Sequence, residues 1–243
     1  MSELRLSIVI PARNESGRIG TTLASVAEYL SRQSYNSEVL VVDNASTDNT
    51  SAATLVFSDR IKNLSVVREP RGGKGYAVTA GMRAVRGDLK IFMDADNATD
   101  ISQLDRLLPF IERGYDVVIG SIAVPGAVIS KTEREPWWRV MLGKTGNLVT
   151  RLLAVPGIHD TQRGFKLFTA KAADDIFPRL NIFGWTFDFE VLAIARSKGY
   201  RIKEVPIEWR HDSDSRVTIW AYPQALRDAF VVAWRRLTRR YKS

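Results

Sequence analysis

The first half of the chain alternates short β-branched apolar runs with stretches of helical spacing, and this rhythm admits few architectures. LRLSIVIPA precedes a helical segment from about Gly17 to Ser31, and EVLVVD, a short segment after Asp48 and LSVVRE follow. A helix from about Gly75 to Val85, then LKIFMD, a helix over residues 101–112 and DVVIG complete the pattern. Runs that are apolar throughout are strands buried on both faces, and helices between them imply an α/β fold with a mostly parallel central sheet. With 243 residues, no internal repeat and no linker, the chain reads as a single domain over residues 1–243. After Gly120 the rhythm breaks. Residues 122–158 hold Pro125, Gly126, Pro136, Pro156 and Gly157 around a stretch rich in Trp, Leu and Arg. Such a departure builds a lid or a binding surface over the strand ends. Strand character returns at residues 165–168 and 204–209, with a helix near 188–197 between them.

Open α/β sheets bind ligands outside the carboxyl ends of their strands, and the polar residues gather there. The first strand ends in Pro11, Arg13, Asn14 and Glu15, the second in Asp43, Asn44 and Ser46, the fourth in Asp94 and Asp96. Two carboxylates one residue apart repel each other and require compensation. Asp43 with Asn44 also suits a helix cap, but three such clusters at one edge favour a ligand rich in hydrogen-bond donors and a bound divalent cation. Oxygen ligands with no Cys or His nearby indicate Mg²⁺ or Mn²⁺, and one or two carboxylates leave coordination positions for substrate phosphates. The turn Gly72-Gly73-Lys74-Gly75 opens a helix, so its amides and Lys74 could meet an anion; a plain glycine-rich connection is the alternative.

The net charge of +8 calls for an anionic partner: nucleic acid, an anionic membrane or a phosphorylated substrate. Acidic clusters at the strand ends would repel a nucleic-acid backbone, so no nucleic-acid partner is expected. The tail AFVVAWRRLTRRYKS sets Arg235, Arg236, Arg239, Arg240 and Lys242 beside Phe230, Val231, Trp234 and Leu237. That is the pattern of an amphipathic helix on an anionic membrane surface, or of a solvated helix with a charged face. KTEREPWWRVMLGKTGNLVTRLLAV likewise mixes Trp137, Trp138, Met141 and Leu142 with Arg134, Arg139 and Arg151. It suits a membrane–water interface or a helix packed on the sheet. There is no cysteine, no run of eighteen apolar residues and no signal-peptide pattern. The expected location is therefore cytoplasmic, peripherally at the inner face of the membrane.

The ordered blocks IVIPARNE, VVDNAS, RGGKGYAV, DADNAT, DTQRGFKLF and FDFEVLAIA resemble the family-2 inverting glycosyltransferases of GT-A fold. More narrowly, the chain resembles the dolichyl-phosphate glucose synthases, with the mannose synthases as close relatives. The resemblance implies a nucleotide-sugar-binding half (1–121) and an acceptor half (122–243). It implies that Pro11, Arg13 and Glu15 line the nucleoside and that Asp43 reads the base or ribose. Asp94, Ala95 and Asp96 would lie by the nucleoside and diphosphate, with Asp96 the principal metal ligand beside Asp94, and Lys74 nearby. Mannose synthases carry a glutamine two residues after the second Asp; Ala98 stands here, which leans the donor toward UDP-glucose over GDP-mannose. Arg139 matches an arginine that meets the lipid phosphate, and Arg210 and Arg216 match basic residues that close over the diphosphate. The family tends to place an arginine after the fifth strand, where this chain has Ile122. His211 is a further candidate metal ligand.

A polyprenyl-phosphate acceptor is already anionic, so its oxygen attacks the anomeric carbon without a strong general base. A hydroxyl acceptor, soluble or on a glycan, would need one, and Asp188 and Asp160 are the candidates; Asp160 could instead order the loop leading into Gly164.

Overall fold

Strand order explains how the second half of the chain reaches the ligand edge formed by the first. In the computed structural model, residues 5–131, 155–211 and 221–241 are described. The main sheet contains β1 (Leu6–Ala12), β2 (Ser37–Asn44), β3 (Leu64–Glu69), β4 (Leu89–Met93), β5 (Val117–Ser121), β7 (Phe165–Thr169) and β8 (Ile202–Pro206). Their order is β3-β2-β1-β4-β7-β5-β8, parallel except for β7, which runs antiparallel to both neighbours. This is the mostly parallel sheet expected, with one reversal that apolar patterning does not reveal. The reversal matters for function: pairing of Phe165 with Met93 sets the start of β7 beside the carboxyl end of β4.

Every residue of β1, β4 and β5 is buried, which is why these segments read as unbroken apolar runs. Successive side chains alternate between two cores. On one face Val9, Val42, Phe92 and Phe168 pack against α3 (Lys74–Ala84), α5 (Ala170–Ile176) and α6 (Phe187–Ser197). On the other, Ile8, Ile10, Val41, Ile91 and Phe165 meet α1 (Ile19–Ser31) and α4 (Leu104–Glu112). The short α2 (Thr50–Leu55) follows β2. Phe92 sits among the rings of Phe168, Phe177 and Phe187, with centroids 5.8–6.4 Å away; burying one such side chain contributes roughly 1.5–3 kcal/mol. Helix α3 lies close on the sheet because Gly81 has no side chain; a Cβ there would fall 2.3 Å from Val9 Cγ1.

The segment expected as one strand over 204–209 is two. Ile207 is fully buried and breaks the line, after which β9 (Glu208–His211) leaves the main sheet to pair with β6 (Val128–Lys131). The final helix, α7 (Ala221–Leu237), buries Ala229 and Val232 against the core beside α6 and leaves Leu226, Phe230, Trp234 and Leu237 exposed. Among the described residues no helix is long and apolar enough to cross a membrane.

Candidate active site

Three strand-end turns contain residues in the left-handed region: Asn14 (φ 54°), Ala45 (φ 53°) and Asn97 (φ 55°), after β1, β2 and β4 respectively. Asparagine tolerates this conformation; alanine does so only at a cost, and such strain concentrates at functional sites. The turns are tied to one another. Asn14 N–H donates to Ser46 Oγ at 3.0 Å and Thr47 N–H to Asn14 Oδ1 at 2.8 Å. Thr22 Oγ1 donates to the Ala95 carbonyl at 2.6 Å, which fixes the turn after β4 against α1.

Along this edge, Pro11 is buried in β1 opposite Val42. The exposed Arg13 brings Nη1 over Gly72, where a Cβ would lie 3.4 Å away. Glu15 is gripped by Arg18 through two bonds of 2.8 and 2.9 Å, an ion pair that the three-residue spacing permits but the sequence does not signal. Asp43 accepts from Ser46 N–H at 3.0 Å and from Ser51 Oγ at 2.5 Å. Burial opposes its charge, but these donors hold its carboxyl below the usual range. Asn44 is a second connection: Nδ2 donates to the Arg71 carbonyl at 2.6 Å and Oδ1 accepts from Gly73 N–H at 3.0 Å. It joins the end of β2 to the glycine-rich turn.

That turn delivers Lys74, whose Nζ lies 2.5 Å from Asp94 Oδ1 and 5.2 Å from the ring centroid of Trp185. Burial works against the ammonium, yet Asp94, Asp188 and Asp96 together keep its pKa raised. Asp96 accepts from Ala98 N–H at 3.0 Å. Burial first, and then the charge of Asp94, push its carboxyl above the ordinary value, so the position favours a cation. The Arg210 N–H donates to the Ala98 carbonyl at 2.8 Å, which places β9 against this turn. Arg139, Arg216 and the side chain of His211 lie outside the described residues.

The carboxylates present suit a hard divalent cation. Among the described residues no three His, Cys, Asp or Glu side chains gather at ligand spacing. Asp94 and Asp96 would therefore hold a cation with substrate oxygens completing its shell. Beside them the Oδ1 of Asn97 is buried without a hydrogen-bond partner among the described residues, an acceptor left over in the same turn.

Asp188 and Asp160 are turned inward. Asp188, in the first turn of α6, is buried and paired with the fully buried Lys166. Burial raises the Asp188 carboxyl and lowers the Lys166 ammonium, each toward neutrality, against the attraction between them. Asp160 accepts from the Ile122 N–H at 3.0 Å, while its own N–H donates to Glu204 Oε1 at 2.9 Å. It orders the loop that leads to Gly164.

Residues 7–177 match the model of the glycosyl transferase family 2. The chain belongs to glycosyltransferase family 2. This family-2 glycosyltransferase is 36% identical over 230 residues to a dolichyl-phosphate beta-glucosyltransferase of Trichomonas vaginalis, covering 90% of this chain and 67% of that one. It is 32% identical over 253 residues to the dolichyl-phosphate beta-glucosyltransferase of Mus musculus, covering 96% and 76%. The enzyme of that name from Saccharomyces cerevisiae shares 33% over 236 residues, covering 89% and 70%. Among solved structures, glucosyl-3-phosphoglycerate synthase of Mycobacterium tuberculosis, crystallised with Mn²⁺, UDP and phosphoglyceric acid, superposes with a TM-score of 0.70. It shares 16% identity and covers 96% of this chain and 78% of that one. The likeness establishes the GT-A fold of this family-2 glycosyltransferase and leaves its substrates to be argued from its own site.

Proposed function

We propose that this family-2 glycosyltransferase transfers a hexose, glucose in preference to mannose, from a nucleoside diphosphate to a dolichyl-type polyprenyl phosphate, with inversion. The observation that carries the reading is the array at the strand ends: Lys74 on Asp94, with Asp96, Asp43 and Arg13 along the same edge. The relatives named dolichyl-phosphate beta-glucosyltransferase supply the sugar and the acceptor class. Residues 1–121 take the donor and residues 122–243 the acceptor, with Pro11, Arg13, Glu15 and Asp43 at the nucleoside and Lys74, Asp94, Ala95 and Asp96 at the diphosphate.

A phosphate monoester brings its own negative oxygen, so the site requires alignment rather than a strong base. Asp188 is buried and paired with Lys166 beside this array, and a phosphate acceptor makes no demand on it as a base. Mg²⁺ or Mn²⁺, held by Asp96 and Asp94, would neutralise charge developing on the departing nucleoside diphosphate. Lys74 supplies a fixed positive charge at the same place, and Arg210 enters from β9 beside Ala98. Arg139 and Arg216 are assigned to the acceptor phosphate and the diphosphate.

An acceptor with a lipid tail places the enzyme at a membrane surface. Helix α7 offers a stripe for it, with Leu226, Phe230, Trp234 and Leu237 exposed and Arg235 and Arg236 in the last turn. The reading is tested by incubating the protein with UDP-glucose or GDP-mannose, Mg²⁺ or Mn²⁺ and a short polyprenyl phosphate, then extracting product into an organic phase. Glucose in that phase, from UDP-glucose, is the expected result. Mannose alone would reassign the donor. Donor binding without transfer would bring forward a hydroxyl acceptor.

A further inference from the structure

Arg163, in the loop before β7, is held in place without being satisfied. Its Nε is buried and makes no hydrogen bond to any of the described residues. Among the described residues the carboxylate oxygen that pairs with it, Asp160 Oδ2, stands 3.5 Å from that nitrogen and already accepts the Ile122 N–H at 3.0 Å. A contact of 3.5 Å is long for a charge-assisted bond, which falls near 2.7–2.9 Å. The guanidinium carbon lies 4.5 Å from the ring centroid of Trp209, and the Arg163 carbonyl takes the Lys166 ammonium at 2.5 Å. Backbone and guanidinium are therefore both anchored, and the side chain remains 28% exposed.

The position matters as much as the missing partner. The next residue, Gly164, accepts the Asp94 N–H at 3.0 Å, and a Cβ on it would fall 2.2 Å from Asp94 Oδ2. Arg163 thus sits one Cα step, about 3.8 Å, from the backbone that touches the Asp94 carboxylate. Lys74 reaches that carboxylate from α3, which packs over β1 and β2. Arg163 approaches from β7, on the other side of β4, at the end of β5, where Ser121 and Ile122 carry no charge. A structural arginine ordinarily has its donors satisfied, whereas a planar fork anchored from behind suits two oxygens of a phosphate.

We propose that Arg163 binds the phosphate of the acceptor, on the β5–β7 side of Asp94, while Lys74 serves the donor on the α3 side. The inference rests on the polyprenyl-phosphate reading above and names a residue of its acceptor subsite. Asp160 and Trp209 are then the residues that orient the fork.

The test compares wild type with Arg163→Gln and Arg163→Lys, titrating UDP and a short polyprenyl phosphate separately by calorimetry and measuring the KM of each substrate. The glutamine variant is expected to bind the polyprenyl phosphate about 10- to 100-fold more weakly, with UDP affinity changed by less than about twofold. The lysine variant, which keeps the charge but loses the fork, falls between. Unchanged acceptor affinity in Arg163→Gln, or equal losses for UDP and acceptor, would overturn the assignment. Should Arg163→Gln melt early, Arg163→Lys decides: weaker acceptor binding at native melting temperature supports the assignment, and unchanged binding overturns it. Wild type that binds UDP but no polyprenyl phosphate would instead overturn the acceptor reading itself, and Arg163 as its clamp with it.

Discussion

Lys74 Nζ lies 2.5 Å from Asp94 Oδ1, so the first residue of α3 closes onto the end of β4. The glycine-rich turn and the acidic pair are therefore one electrostatic unit. Lysine compensates part of the repulsion between Asp94 and Asp96, and a cation with a diphosphate would complete the balance.

Lys74→Met removes that compensation and leaves Asp94, Asp96 and the nearby Asp188 facing one another. The expected result is a loss of roughly 1–3 kcal/mol of stability and about 10- to 100-fold weaker UDP binding, with Mg²⁺ recovering part of the stability. Urea unfolding with and without Mg²⁺, and a UDP titration, check both. Native stability together with native UDP affinity would show that Lys74 is not part of the site.

The Lys166–Asp188 pair is buried under this array, so breaking it from one side should harm the fold more than removing both charges. Asp188→Leu alone is expected to lose about 3–5 kcal/mol, because Lys166 is stranded, and Lys166→Met with Asp188→Leu distinctly less. A double-mutant cycle of unfolding free energies reads the difference. Additive losses would mean that the two groups are not coupled.

Acid should weaken the fold in a definite window. Burial opposes the charges of Asp43 and Asp48, but donors Ser46 and Ser51 for the first, and Thr50 and Ser16 for the second, hold both pKa values down; Asp48 sits at about 2. In the unfolded chain these carboxyls titrate near 3.9. Between those values the unfolded state binds more protons, so stability present above about pH 4 is lost as the pH falls toward about 2. Asp96 and Asp188, raised by burial, act with the opposite sign and above that window. Urea midpoints are expected to drop between about pH 4 and about pH 3, less so in Asp48→Asn. A flat profile would contradict the hydrogen-bonding account of the turn after β2.

The exposed stripe on α7 follows positions i, i+4, i+8 and i+11 from Leu226 to Leu237, and Trp234 is 63% exposed. Phe230→Ser with Trp234→Ser should leave melting within about 0.5 kcal/mol of wild type, since surface changes cost little. Sedimentation with anionic vesicles should weaken about tenfold. Unaltered sedimentation would remove α7 from the membrane contact.

Much of this arrangement was legible because its signals are local. Unbroken apolar runs located β1, β2, β4 and β5, and the carboxylates that interrupt them marked the ligand edge. Helix boundaries fell within a few residues, as with α3 at Lys74–Ala84 and α6 at Phe187–Ser197. Long-range facts were not legible. Apolar patterning has no direction, so the reversal of β7 was hidden, and with it the approach of Gly164 to Asp94. The pairing of Asp188 with Lys166, a residue of that reversed strand, was equally hidden. Arg163 carries no signal as one arginine in a loop, beyond its place directly before Gly164 and FKLF at the start of β7. Arg18 is equally inconspicuous, and only its three-residue spacing from Glu15 permits the ion pair.

The most direct test of the central claim is sugar transfer from UDP-glucose to a short polyprenyl phosphate by wild type and Asp96→Asn, with Mg²⁺ and Mn²⁺ titrated in each. Asp96→Asn keeps the shape of the turn and removes the charge. The expected result is lipid-linked glucose from the wild type that rises with metal, and a loss of about 100-fold or more in the variant that excess metal only partly restores. Transfer by Asp96→Asn at the wild-type rate and metal dependence would show that the chemistry lies elsewhere than the ends of β1, β2 and β4.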